Sequence, residues 1–228
     1  MHRPDDGDER RLVPMMLLLT GVSGLVDAAS YLALGHVFVA NMTGNIVFIG
    51  FALAGATSLS LQSSAIAIAS FLAGALAAAR LARRLNRGHL GLLRIMTAGQ
   101  FVIVLVAIGT GLAFSPTNAL TAYAVVGLLA VAMGVQSATT TRLGIPGFNS
   151  TVVLTTMLST LAAESQLGGG SGANNARRVL AIAAMFGGGL AGAALTLRTA
   201  WLAPLVVAAL LLGVVSASAG GETRPPVG

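Results

Sequence analysis

Residues 12–45 read LVPMMLLLTGVSGLVDAASYLALGHVFVANMTGN, and this stretch decides the fold. Its first part, 12–34, is an apolar run longer than the roughly 20 residues a helix needs to cross a bilayer, interrupted by one carboxylate, Asp27. Its second part opens on Gly35 and brings Asn41, Thr43, Gly44 and Asn45 together at the start of another apolar run. A charge at depth in lipid costs about 2.5–3.5 kcal/mol on insertion scales, so such a residue tends to face a bundle interior or a wet cavity and to serve a function. Asp27 is therefore the leading candidate. Asp5, Asp6, Asp8 and Glu9 precede the first run, Glu222 follows the last and Glu164 closes a short segment, so Asp27 alone among the acids lies in the body of an apolar run.

The rest of the chain extends this pattern. Of its 228 residues, 55% are hydrophobic and 9% charged, against about 25% charged in an average soluble domain. This composition is that of a polytopic all-α membrane protein. The net charge of +6 does not point to nucleic acid, because the Arg residues stand at the ends and breaks of apolar runs, where they orient membrane proteins. With no Cys, disulfides, a thiol nucleophile and Cys-ligated metal are excluded, and no cofactor is expected. The first run exceeds the about 7–15 residues of a signal-peptide core, so it reads as a retained span. Residues 1–11 and 219–228 read as disordered cytoplasmic tails around one membrane domain, 12–218.

Six runs qualify as spans: 12–34, 63–82, 92–114, 119–141, 177–197 and 199–218. Two shorter ones, 43–57 and 150–163, do not comfortably qualify alone. Each comes after a long polar-bearing span, so the halves 12–114 and 119–218 both run long, short, long, long. Aligning the halves sets Asp27 against Gln136, and the polar start at Asn41–Asn45 against either Asn149–Thr151 or the stretch around Thr155 and Thr156. Charge parity orients the repeat. Arg80, Arg83, Arg84, Arg87 and Arg94 cluster on one side of the third segment, whereas the turn at 115–118 is uncharged. With Arg10 and Arg11 on the same side as that cluster, segment 36–57 returns to the side it left. The expectation is six spans plus two re-entrant helices, 36–57 and 145–164, in an inverted repeat with both termini cytoplasmic. Eight full crossings remain open on length alone, since an extended 37–40 followed by a helix could cover about 30 Å.

Irregular backbone at membrane depth must be buried in protein or line a cavity, and in inverted-repeat transporters broken helices bind solutes or ions at their free ends. The candidate substrate- or ion-binding set is Asp27, Asn41, Thr43, Gly44 and Asn45, with Gln136 and Asn149 as weaker members. The competing reading is structural: Asn and Thr are ordinary N-caps, amides glue helices together, and Asp27 could fix a non-spanning segment by accepting hydrogen bonds from its helix start. Enzyme chemistry is disfavoured. Gly21-Val22-Ser23-Gly24 has the form of an intramembrane serine protease motif, but no His lies in a later span to act as base. Asp27 has no second intramembrane carboxylate, and the chain has no Walker motif.

The residues Gly21 to Asn45, with Val26-Asp27-Ala28, Tyr31-Leu32-Ala33-Leu34-Gly35 and Asn41-Met42-Thr43-Gly44-Asn45, together with Gly134-Val135-Gln136-Ser137 and Thr151-Val152-Val153-Leu154-Thr155, resemble the YoaK-like bacterial small integral membrane proteins, a domain-of-unknown-function family. The family often carries Thr-Gly where this chain has Thr155-Thr156. The resemblance implies a bacterial inner-membrane protein of about six spans and supplies no substrate. The sequence-level expectation is a secondary-transporter-like protein with a small-solute or ion site near Asp27; the alternative is a non-transporting accessory or assembly protein. Its partners are the lipid bilayer and an unidentified small solute or ion, and a homo-oligomer is left open.

Overall fold

The computed structural model describes residues 5–56, 59–85, 87–114, 118–145, 153–164 and 175–220. Among these described residues eight helices succeed one another: α1 (Asp6–Ala33), α2 (Met42–Leu53), α3 (Leu61–Leu85), α4 (His89–Ala113), α5 (Ala119–Leu143), α6 (Val153–Ala163), α7 (Asn175–Arg198) and α8 (Ala203–Ser218). Five of them, α1, α3, α4, α5 and α7, are long and apolar enough to cross a membrane. The short helices α2 and α6 fall where the short apolar runs are.

Two boundaries differ from the expectation. Helix α1 begins at Asp6, inside the expected tail 1–11, because the Asp5 side chain caps it by accepting the Asp8 N–H at 2.8 Å. Carboxylates at this end also suit the helix dipole, and Glu9 is ion-paired with Arg177 at the start of α7. The run 199–218, expected to be helical throughout, forms a 16-residue helix only from Ala203. Pro204 sits in its first turn, the position where a missing N–H is tolerated and an upstream helix is stopped. The residues before it still pack: the Trp201 ring lies against Gly111 of α4, where a Cβ would come within 2.5 Å of its Cη2.

The packing order is a row, α3, α5, α4, α8, α1, α7, with α2 laid on α3 and α6 on α7. Apart from the two short helices, the main contacts of the long helices run between the chain's two halves, so each half is clasped by the other. The two clasps are glycine seams. Added Cβ atoms would stand 2.2 Å from the Val131 carbonyl oxygen at Gly74 and 2.1 Å from that of Phe71 at Gly134, which fixes α3 against α5. On the other side they would stand 2.2 Å from the Gly21 oxygen at Gly188 and 2.5 Å from the Met185 oxygen at Gly24, which fixes α1 against α7. In lipid, where helices gain little from hiding apolar surface from one another, such close backbone approach supplies the dispersion contacts that hold a bundle. The core between the seams is filled by Leu12, Met16, Leu19, Leu92, Leu93, Leu129, Met133, Leu205 and Leu212, all fully buried.

Candidate functional site

The site is built where α1 stops. The Leu34 N–H closes the last turn on the Ser30 carbonyl at 3.0 Å, and Gly35 (φ 95°) and His36 (φ 55°) then turn the chain through left-handed backbone. For a non-glycine residue such as His36 this conformation costs roughly 1–2 kcal/mol. Beyond the turn, residues 37–41 form a strap without helical hydrogen bonds, and Val37 and Val39 on it are completely buried. Its N–H and C=O groups need partners, because unsatisfied backbone in an apolar interior costs several kcal/mol.

Two side chains supply them. Asp27 Oδ1 accepts the N–H groups of Val39 at 2.9 Å and Ala40 at 2.7 Å. Asn45, one turn into α2, accepts the Phe38 N–H at 3.0 Å and donates to the Phe38 carbonyl at 2.6 Å, pairing like a strand neighbour. Asp27 thus anchors, from another helix, the extended residues that lead into α2, with charge-assisted hydrogen bonds from backbone N–H groups. Asn41 occupies the N-cap position but makes no side-chain cap bond.

The outer rim is aromatic. Tyr31 stacks on Phe38 with ring centroids 5.0 Å apart, Phe38 stacks on Phe48 at 5.6 Å, and His36 meets Tyr31 edge-on. Gly44 lies under Phe38, where a Cβ would come within 2.8 Å of Cδ2; the absent side chain makes room for a ring rather than for a backbone. Asn41 and Thr43 are exposed, while Asp27 and Asn45 are buried.

Gln136 stands apart from this group. Its Nε2 donates to the Leu19 carbonyl at 2.9 Å and to Ser23 Oγ at 2.8 Å, and its Oε1 accepts from Gln100 Nε2 at 2.8 Å. The amide therefore ties α5 to α1 and α4 at the centre of the row, one turn from Asp27 along α1. Gln100 is not among the sequence candidates, although an amide inside the apolar run 92–114 is the same kind of signal as Gln136. Asn149 lies outside the described residues, as do the turn 115–117 and the chain leading into α6. At the end of the bundle where α1 begins, Asp8 meets His89 at 3.7 Å, Glu9 meets Arg177, and Arg178 holds Glu164 at 2.6 Å. These pairs join the starts of α1, α4 and α7 to the end of α6.

Chemically, a lone buried carboxylate beside amides can exchange a proton or accept donors from a small polar solute or ion; among the described residues no group of three His, Cys, Asp or Glu side chains converges. The model of a family described as "Protein of unknown function (DUF1275)" matches residues 15–218. The chain is 31% identical over 150 residues to the UPF0700 transmembrane protein YoaK of Bacillus subtilis (strain 168), a match spanning 64% of each chain. No solved structure matches.

Proposed function

Since the chain belongs to this family of unknown function and is a multi-pass membrane protein, we propose that it is secondary-transporter-like, with strap 37–41 as a gate and a small-solute or ion site beside Asp27. The observation that carries this reading is the Asp27 carboxylate at helix depth, bonded to backbone that is neither helix nor sheet and that hinges on Gly35 and His36. A proton or cation that competes for the carboxylate weakens the strap's hold, which couples occupancy to opening. The exposed Asn41 and Thr43 then lie at the mouth, with Asn45 as the second latch.

The inverted repeat belongs to the same proposal. Exchanging the halves (α1 for α5, α2 for α6, α3 for α7, α4 for α8) reverses the packing row onto itself. The same exchange carries Gly24 on Met185 to Gly134 on Phe71, and Gly188 on Gly21 to Gly74 on Val131. This register supports a repeat shifted by one residue from the sequence alignment: Asp27 falls opposite Ser137, and Gln136 opposite Val26. Six crossings, a bacterial inner membrane and cytoplasmic termini are the topology that suits it.

One observation favours the second reading, a non-transporting accessory or assembly protein: the polar groups of Asp27 and Asn45 are already engaged by the strap. The two are separated in the Cys-free chain by Val39→Cys, a fully buried strap position. In proteoliposomes with an entrapped pH-sensitive dye and an imposed potential, the transport reading expects proton or cation movement, Val39→Cys labelling that changes with the gradient, and loss of both in Asp27→Asn. Flux no different from empty liposomes with an unlabelled Cys establishes the structural reading.

A further inference from the structure

The outward face of α3 carries a two-part stripe. Leu72 and Leu76 are exposed, and Arg80, Arg83 and Arg84 continue the same line at steps of three and four residues to the last turn of the helix, with the exposed Arg87 just beyond its end. Residues at these spacings share one helix face, and this face is turned away from α5, which packs on the side of Gly74 and Ala78. The four arginines are exposed, and among the described residues no carboxylate stands within ion-pair reach of them. The neighbouring acids are committed elsewhere, Asp8 to His89 and Glu9 to Arg177. Four guanidinium groups with no carboxylate partner among the described residues, next to an apolar stripe, suit an amphiphile with an anionic head and an apolar tail.

We propose that this face of α3 is a docking surface for an anionic phospholipid, whose phosphate is held by Arg80, Arg83, Arg84 and Arg87 and whose acyl chains run along Leu76 and Leu72. Guanidinium binds phosphate with paired, charge-assisted hydrogen bonds, and each arginine near an anionic surface contributes severalfold in affinity. The surface is independent of the strap and of any transport activity. Its role is to fix the end of α3, and through the Gly74 seam α5, relative to the lipid leaflet.

The test uses the full-length protein in neutral detergent, with native mass spectrometry counting retained phosphatidylglycerol against phosphatidylcholine of the same acyl chains. Wild type should retain the anionic lipid roughly tenfold or more over the neutral one at low salt, and the preference should collapse as salt is raised. Arg83→Gln with Arg84→Gln should bring the two lipids within about twofold, whereas Arg142→Gln with Arg198→Gln, the same charge loss elsewhere, should leave the preference intact. If the first double variant does not fold, Leu72→Gln with Leu76→Gln tests the apolar half and should lower retention of the anionic lipid. Equal retention of both lipids by wild type, equal losses in the two arginine variants, or displacement by soluble glycerol phosphate as effective as by lipid overturns the proposal.

Discussion

The ends of α1 and α5 are built alike and use their buried polar residues differently. Both helices stop next to a glycine with positive φ, Gly35 and Gly144, and both pack through a glycine seam against a long helix of the other half. Near the end of α1, Asp27 turns to the strap; near the end of α5, Gln136 turns to α1 and α4. Asp27 stands three residues past the seam glycine Gly24, and Gln136 two past the seam glycine Gly134, and one residue rotates a side chain by about 100° around a helix. A single step along the chain thus decides whether a polar group anchors a non-helical segment or binds helices together.

The contrast is broken most strongly at Asp27. Asp27→Ala leaves the Val39 and Ala40 N–H groups without an acceptor in a buried site, and roughly 3 kcal/mol of folding stability should be lost, read as a lowered midpoint of unfolding in detergent. Asp27→Asn, which keeps one oxygen acceptor, should lose less; an equal loss would show that the charge rather than the oxygen holds the strap. The seams come next. Gly134→Ala and Gly188→Ala force backbone apart and should each cost about 1–3 kcal/mol, while Gly187→Ala, which meets nothing within 4 Å, should be close to neutral. A large difference between the first two would break the equivalence of the clasps.

At the α5 end the effect should be smaller. Gln136→Leu removes the acceptor of Gln100 Nε2 and the donor to Leu19 and Ser23, while Ser23 keeps its bond to the Leu19 carbonyl, at a cost of about 1 kcal/mol given the modest strength of interhelical hydrogen bonds in membranes. The Gln100→Leu, Gln136→Leu double variant should be less destabilised than the sum of the singles, since each removes the same bond. The smallest effect belongs to the exposed start of α2: Asn41→Ala and Thr43→Ala should stay within about 0.5 kcal/mol of wild type in stability. A change in Val39→Cys labelling rate in these two variants, with stability unchanged, would assign these two residues to gating.

Much of this is legible in the chain because lipid imposes strong rules on composition. Helix positions come from apolar run length, and the short helices from runs too short to span. The importance of Asp27 comes from its isolation, and its grouping with the polar start of α2 from the need to satisfy irregular backbone. The start of α1 is harder to place, because Asp5, Asp6, Asp8 and Glu9 look like a solvated tail until Asp5 is seen as a cap and Glu9 as the partner of Arg177. Gln100 escapes notice because one amide in an apolar run carries no mark of its partner.

By itself, then, the sequence determined that this is a bundle of membrane helices broken after Leu34, with one buried carboxylate at the break, because run length, charge and glycine are local properties that lipid tests residue by residue. Tertiary structure alone decided which groups meet. The clasp of α1 by α7 and of α3 by α5, the engagement of Asp27 with Val39 and Ala40, and that of Gln136 with Leu19 and Gln100 depend on backbone approach and helix rotation, and neither is written in composition.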